Sequence, residues 1–186
     1  MPPKIKVTKE EIISAATHLV REKGADTLNA RNVAFALNCS TQPVFSNFAT
    51  MEELRLAVVE KANELCGNYI DNEIKNGEFS PYKASGIAYI RFAKEEKELF
   101  KLLYMRDRTK ETFEQPLNLG DQMESLVKEN TGLADDSTKL FHLEMWAFVH
   151  GIAAMVATDF VNLDWDLISS MLTHAYKGLL KEYGLE

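Results

Sequence analysis

The sequence predicts an all-α protein of about nine helices: an N-terminal three-helix helix-turn-helix unit followed by a larger helical part. Apolar residues recur at helical spacing, capping residues precede several of these segments, and no stretch shows the alternation of a β-strand. The 186 residues, 46% of them hydrophobic, are sufficient for a normal packed core. We place the boundary between the two parts near residue 50.

The first two helices are predicted from their end signals. Thr8 to Glu11 forms a capping box, and Gly24 is expected to end the first helix in the αL conformation. Asn29 caps a brief second helix with Val33, Ala34 and Leu37 facing inward, and Asn38 ends it because asparagine visits αL readily. The turn that follows has the length typical of a helix-turn-helix motif.

A short third helix is predicted between Ser40 and Phe48. Ser40 is a suitable N-cap, and Pro43 lies in the first turn, where a missing amide costs nothing. Val44 and Phe48 are four residues apart and can face a core. The other side carries short uncharged polar side chains that suit base edges and phosphates: Thr41, Gln42, Ser46 and Asn47.

The later elements follow from similar signals. Thr50 to Glu53 is a second capping box and begins a long fourth helix that fades near Asn76 and Gly77. Ser80 and Pro81 begin a fifth helix, and Leu99 to Met105 makes a sixth. A seventh begins near Leu117, after Pro116, and ends at Thr131 and Gly132. Two apolar helices, Leu140 to Val156 and one capped by Asp164, complete the chain.

Residues 8 to about 65 resemble the N-terminal DNA-binding domain of the tetracycline-repressor (TetR) family of bacterial transcription factors. The resemblance rests on an ordered set: Ile12, Ala15, Ala16, Leu19, Gly24, Val33, Ala34, Leu37, Ser40, Phe45, Phe48, Glu53 and Leu54. It implies a DNA-binding domain over residues 1–50 and a helical regulatory domain, for ligand binding and dimerisation, over residues 51–186. The family usually has tyrosine at the position of Phe45 and lysine at the position of Met51, and it uses both to hold DNA phosphates. This chain departs from the family at these two positions.

The resemblance implies that the third helix binds double-stranded DNA. Residues 1–48 carry six basic and four acidic groups, which is a net charge of +2. Because the whole chain has a net charge of −7, the remaining residues carry a net charge of −9. A basic N-terminal part on an acidic body suits a protein that meets DNA at one end, with Lys4 and Lys6 as an arm. The residues expected at the DNA are Lys4, Lys6, Asn29, Arg31, Ser40, Thr41, Gln42, Phe45, Ser46 and Asn47.

The last two helices are expected to form a homodimer. The segment from Phe141 to Val156 is apolar on more than one face, which the core of one protomer would not need. The stripe of the final helix runs through Trp165, Ile168 and Leu172, and Gly178 would let another backbone approach. The resemblance implies a four-helix bundle across a two-fold axis, and a single unit of this kind contacts too few base pairs to be selective.

The segment from Trp146 to Gly151 resembles the Trp-His-Gly motif of one C-terminal subfamily of TetR regulators. A histidine on an apolar helix is more often a bonded core residue than a ligand contact. An apolar cavity for a small-molecule effector is nevertheless a hypothesis, with Tyr89, Phe92, Tyr104, Met123, Trp146 and His150 as its lining. Aromatic residues and methionines at this spacing are core residues by default.

Other classes of function are disfavoured. No phosphate loop, metal cluster or nucleophile motif is present, so neither an enzyme nor a cofactor or metal is expected. The chain has no uninterrupted apolar run of membrane-spanning length and no secretory signal, which favours a cytoplasmic protein without membrane contact, and Cys39 and Cys66 are expected to be reduced. We expect a repressor that binds a palindromic operator; the alternative is an all-helical dimeric interaction or ligand-binding module with weakened or lost DNA binding.

Overall fold

The computed structural model describes residues 7–105 and 121–185, and within these residues it has helices and no strand, which confirms the all-α class. A short 3-10 turn, Ala25–Thr27, follows the first α-helix. The nine α-helices of the described part are α1 Lys9–Lys23, α2 Ala30–Ala36, α3 Gln42–Asn47, α4 Met51–Asn76, α5 Pro81–Glu95, α6 Lys97–Tyr104, α7 Asp121–Thr131, α8 Asp135–Ala157 and α9 Trp165–Glu182.

The chain divides into two compact units. The first takes in the chain up to Cys66 and returns from Glu96 to include α6, and the second contains the stretch from Gly67 to Glu95 and the C-terminal helices. Helix α4 therefore contributes residues to both units. The expected functional boundary between residues 1–50 and 51–186 stays a prediction.

In the first unit, α1 packs on α2 and α6. The predicted capping box is confirmed, because Thr8 Oγ1 accepts from the Glu11 amide at 3.1 Å and the Glu11 carboxylate accepts from the Thr8 amide at 2.8 Å. The core of this unit is made of fully buried aliphatic side chains on α1, α2 and α4 and of apolar residues of α6: Ile12, Ala16, Val20, Val33, Leu54, Val58, Ala62, Leu99 and Phe100.

Gly24 ends α1 in a different way from the αL stop that the sequence predicted. Its φ is 83° but its ψ is 165°, which lies outside the αL region and is a conformation that side chains rarely adopt. A Cβ atom at this position would also lie 2.8 Å from Oε2 of Glu98. The backbone conformation therefore requires glycine here, and a larger residue would in addition displace the end of the Glu98 side chain. Asn38, with φ of 50°, has the left-handed conformation that was expected.

The start of α4 differs slightly from a standard capping box. Thr50 Oγ1 accepts from the Glu53 amide at 3.1 Å, as predicted, but the Glu53 carboxylate accepts from the amide of Ala49 and not from that of Thr50. Further along α4, Cys66 is buried and burial raises the pKa of its thiol to about 11. Cys39 and Cys66 are both free thiols, in agreement with the expected reduced state.

In the second unit, α5 lies against α8 and also contacts α7 and α9. Asp164 caps α9 by accepting from the Leu167 amide at 2.7 Å, and α7 ends at Thr131 before Gly132, both as predicted. The predicted start of α7 near Leu117 and the break at Pro116 lie outside the described residues. The buried side chains of this unit include Ile87, Ile90, Phe92, Phe141, Ile152, Ile168 and Leu172.

Helix α8 is more apolar than the sequence analysis expected. Over 18 residues its mean hydropathy is 1.4, so by length and composition it could cross a membrane. The helix nevertheless packs against α5, α7 and α9, and 44% of that stretch is buried inside the protein. A single helix with these contacts is the kind that forms the core of a helical domain.

Candidate nucleic-acid interface

The position of α3 is set by a tight turn after α2. Asn38 has positive φ there, and its amide donates to the Phe35 carbonyl at 3.1 Å, while the Cys39 amide donates to the Ala34 carbonyl at 3.0 Å. These bonds satisfy carbonyls at the end of α2 that have no partner within the helix. The chain is thereby redirected into α3, which contacts α2.

The inward side of α3 is held by two apolar anchors. Val44 is fully buried and the side chain of Phe48 is only 2% exposed, as the four-residue spacing predicted. The ammonium of Lys9 lies 5.0 Å from the centre of the Phe48 ring, within the range of a cation-π contact. Burial of these two side chains fixes which side of α3 can face a ligand.

The outward side of α3 carries Gln42, Phe45 and Ser46, all exposed, with Thr41 and Asn47 half-buried beside them. Ser46 Oγ donates to the Gln42 carbonyl and Asn47 Nδ2 donates to the Pro43 carbonyl, both at 2.8 Å. In this conformation each of those two side chains gives one hydrogen to its own helix. Thr41 and Gln42, at the start of α3, are better placed to bond an external partner.

The predicted N-cap of α3 is wrong. Thr41, and not Ser40, takes the N-cap position, and its side chain makes no capping bond because its backbone is already helical, with φ of −72° and ψ of −12°. Pro43 lies in the first turn as expected. Ser40 is exposed immediately before this turn.

Helix α2 presents two of the remaining predicted residues. Asn29 caps α2 by accepting from the Asn32 amide at 3.0 Å, which confirms its predicted structural role, and Arg31 is exposed in the first turn. Lys4 and Lys6 lie outside the described residues. The segment Gln42–Asn47 has no charged side chain, so cations that neutralise phosphates must come from other parts of the unit.

Two exposed phenylalanines lie in this unit. Phe45 on α3 is 54% exposed, and Phe35 on α2 is 88% exposed, the largest value among the exposed large hydrophobic residues of the described chain. Sequence reasoning gave Phe35 no role, although its position beside Ala34, away from the inward spacing of Val33 and Leu37, could have indicated exposure.

The second unit contains the cluster of Tyr89, Trp146 and His150. Tyr89 Oη and His150 Nδ1 are 3.0 Å apart, and the Trp146 and His150 rings stack with centres 4.8 Å apart at 15°. Burial lowers the pKa of His150, which favours the neutral imidazole. The structure therefore brings together three of the six predicted ligand-binding residues.

The other three residues lie elsewhere. Phe92 is fully buried against Tyr69, with ring centres 5.6 Å apart, and Met123 is half-buried on α7. Tyr104 belongs to the first unit, where it packs on Phe100 with ring centres 5.0 Å apart. Their use by a ligand stays a prediction.

A second tyrosine-histidine pair, which the sequence analysis did not identify, joins the same two helices as Tyr89 and His150. Tyr82 Oη and His142 Nδ1 are 2.9 Å apart, and His142 is buried. Burial raises the pKa of Tyr82. Tyr82 and Tyr89 are seven residues apart on α5, and their partners His142 and His150 are eight residues apart on α8. These helices therefore run side by side in the same direction. The similar spacing of the two tyrosines and the two histidines was the signal in the sequence that could have indicated the second pair.

A cavity of about 270 Å³ lies at α7 and α8, and its lining is polar and charged: Glu124, Ser125, Lys128, Asp135, Thr138 and Lys139. Lys128 and Asp135 form an ion pair within this lining. The cavity contains none of the six residues predicted for an apolar effector. Among the described residues, no group of three or more His, Cys, Asp or Glu side chains could hold a metal ion.

The outer faces of α8 and α9 expose apolar and small residues. Leu140 is 51% exposed and Leu143 38% exposed, and Ala147 and Gly151 continue the same face of α8. On α9, Leu167 is 45% exposed and Gly178 is open, because a Cβ atom there would meet nothing within 4 Å. We call Leu140, Leu143, Ala147 and Gly151 the outer face of α8.

The helix-turn-helix is a motif that many DNA-binding proteins use, and it occurs here in a chain that has a second helical unit. The family described as "Tetracyclin repressor-like, C-terminal domain" matches residues 82–175, 94 of the 186 residues. The chain belongs to the TetR family of transcriptional regulators. The assignment of Trp146, His150 and Gly151 to the Trp-His-Gly subfamily stays a prediction.

Two solved structures share this fold. A TetR-like transcriptional regulator from Rhodococcus sp. RHA1 is 14% identical with a TM-score of 0.66, over 96% of this chain and 98% of that one. A TetR family member from Streptomyces coelicolor A3 is 19% identical with a TM-score of 0.61, over 90% of this chain and 96% of that one. No curated protein matches the sequence significantly.

Proposed function

We propose that this TetR family protein is a homodimeric repressor that binds a palindromic DNA operator through α3 and is released by a small-molecule effector. The observation that carries DNA binding is the arrangement of α3, whose buried anchors Val44 and Phe48 leave Thr41, Gln42 and Phe45 on an outward side. A helix held in this way after a tight turn is the one that enters the major groove in helix-turn-helix proteins.

Binding is tested with duplexes that contain 20 randomised base pairs and with the region upstream of the gene itself. We expect repeated selection to enrich a sequence with two-fold symmetry and the upstream region to give a retarded band. If neither DNA is retarded at micromolar protein, the alternative is correct: a helical dimer that has lost DNA binding. The uncharged segment Gln42–Asn47 and the missing phosphate ligands at Phe45 and Met51 are the features that favour this alternative.

Base discrimination is assigned to Gln42 and Thr41, because they are placed at the start of α3 and glutamine can bond adenine in bidentate fashion. We expect Gln42→Ala to cost about 1–3 kcal/mol on the selected site and little on random DNA. The matched variant Arg31→Ala should weaken binding to the selected site and to random DNA alike. It should also reduce the slope of log affinity against log salt concentration by about one, the value for one phosphate contact. Equal losses on both DNAs for Gln42→Ala would refute the assignment, as measured by fluorescence anisotropy.

An effector site is assigned beside Trp146, His150 and Tyr89, because their ring contacts and the tyrosine-histidine bond join α5 and α8 in one aromatic surface. For release, the effector must bind the DNA-free form more tightly, typically by about 1–3 kcal/mol. Compounds that weaken operator binding by the parent protein are identified first in a small-molecule screen.

Tryptophan fluorescence can show where such a compound binds, because the protein has only two tryptophans, Trp146 and Trp165. We expect such a compound to quench the fluorescence of Trp165→Phe, which keeps Trp146, and not that of Trp146→Phe. The Trp146→Ala variant should bind the operator normally and respond at least ten-fold more weakly to the compound. A normal response from a folded Trp146→Ala protein would move the effector site elsewhere.

A further inference from the structure

Phe45 is the only apolar side chain on the outward side of α3. It follows Gln42 by three residues and Thr41 by four, so the three side chains lie on one side of the helix. The side chain is 54% exposed, in contrast with Val44 and Phe48 of the same segment, which are buried. Phe45 is therefore not needed to hold α3 in place.

The chemistry of the ring limits what can cover it in a DNA groove. A phenyl group offers no hydrogen bond, so Phe45 cannot hold a phosphate as the tyrosine of the family does at this position, and polar base edges gain nothing from it. Among the groups that B-DNA presents in the major groove, the thymine C5-methyl is the apolar one. Contact with this methyl removes apolar surface of both partners from water.

We propose that Phe45 determines specificity by contacting the 5-methyl group of a thymine in each half-site. The inference rests on the proposed DNA binding by α3 and adds the identity of a second recognised base. Gln42 and Phe45 are separated by about 4.5 Å along the helix axis, and successive bases by about 3.4 Å. If the axis of α3 follows the groove, the thymine lies within one or two base pairs of the base that Gln42 contacts.

The inference is tested on the DNA selected by the parent protein. Each thymine of a half-site is replaced singly by deoxyuridine, which pairs identically and lacks only the methyl group. For the parent we expect one position per half-site at which replacement weakens binding about four-fold, the value for one buried methyl-sized group. For Phe45→Ala we expect the same replacement to change the dissociation constant by less than 1.5-fold.

Two further variants identify the source of this effect. Phe45→Tyr keeps the ring and should retain the four-fold methyl dependence. Phe35→Ala removes a still more exposed phenylalanine from α2 of the same unit and should leave the methyl dependence at the parent value. Circular dichroism confirms that each variant is folded, which the exposure of both side chains makes the expected result.

The outcomes separate this inference from the proposed function. If the parent selects a site and no deoxyuridine replacement weakens binding, or if the methyl dependence persists in Phe45→Ala, DNA binding stands and the role of Phe45 is overturned. If the parent selects no site at all, the proposed function fails and this inference fails with it.

Discussion

Replacing Phe48 with alanine is expected to lower the free energy of unfolding by about 3–5 kcal/mol, the range for buried phenylalanine. Phe48 is the C-cap residue of α3, and its side chain is 2% exposed. The substitution leaves a cavity in place of the ring and removes the cation-π contact from Lys9. Because Phe48 is one of two apolar anchors of α3, the variant should also lose operator binding.

The matched control lies on the same helix. Phe45→Ala removes the same number of atoms from a side chain that is 54% exposed, and surface substitutions of this kind usually change stability by less than about 0.5 kcal/mol. Urea denaturation followed by circular dichroism measures both variants. Similar losses for Phe45→Ala and Phe48→Ala would mean that α3 is not anchored as described.

Local signals in the sequence predicted much of the fold. Thr8, Asn29 and Asp164 were identified as caps from residue type alone, and each accepts a backbone amide hydrogen in the structure. These predictions succeed because a capping bond depends on three or four consecutive residues. The buried side of α3 was likewise predictable, since residues three or four apart share one side of a helix.

Other features depend on contacts that a local pattern does not encode. Ser40 has the right chemistry for an N-cap, but the tight turn after α2 places the N-cap of α3 one residue later, at Thr41. Gly24 was recognised as a stop, although its backbone, with φ of 83° and ψ of 165°, is not in the αL conformation that the sequence predicted. The pairing of Tyr82 with His142 needs the relative register of α5 and α8, which only packing determines.

Less of the candidate site than of the fold could be predicted from the sequence. The helical spacing predicted which residues of α3 turn outward, whereas the hydrogen bonds of Ser46 and Asn47 to their own helix required coordinates. The proposed effector residues were chosen as aromatic and methionine side chains at helical spacing. That signal does not distinguish a ligand surface from a core, and Phe92, which was chosen in this way, is fully buried.

The second prediction with a large effect concerns the proposed homodimer. The outer face of α8 exposes two leucines, one alanine and one glycine in a single chain, although the opposite side of the helix already carries the buried residues Phe141, Met145 and Ile152. A stable interface of ordinary size buries about 800 Å² on each partner. The exposed apolar side of α8 can supply part of such an interface when a second copy of the chain covers it.

We expect the parent to sediment at micromolar concentration with about twice the chain mass of 21.1 kDa. The double variant Leu143→Glu with Ala147→Glu places two carboxylates on the outer face of α8, and burying unpaired charges is strongly unfavourable. We expect it to sediment as a monomer and to bind the operator at least 100-fold more weakly, because two linked half-sites are then contacted independently.

The control for this variant is Leu56→Glu, which alters a leucine of α4 that is 51% exposed and belongs to the first unit. It should remain a dimer, so that loss of assembly in the double variant reports on α8 and not on the introduction of exposed charge. Circular dichroism separates dissociation from unfolding, since an exposed glutamate is tolerated by a helix. A parent protein that sediments as a monomer, or a double variant that remains a dimer with full operator affinity, would remove α8 from the interface and leave its exposed leucines without a partner of the same chain.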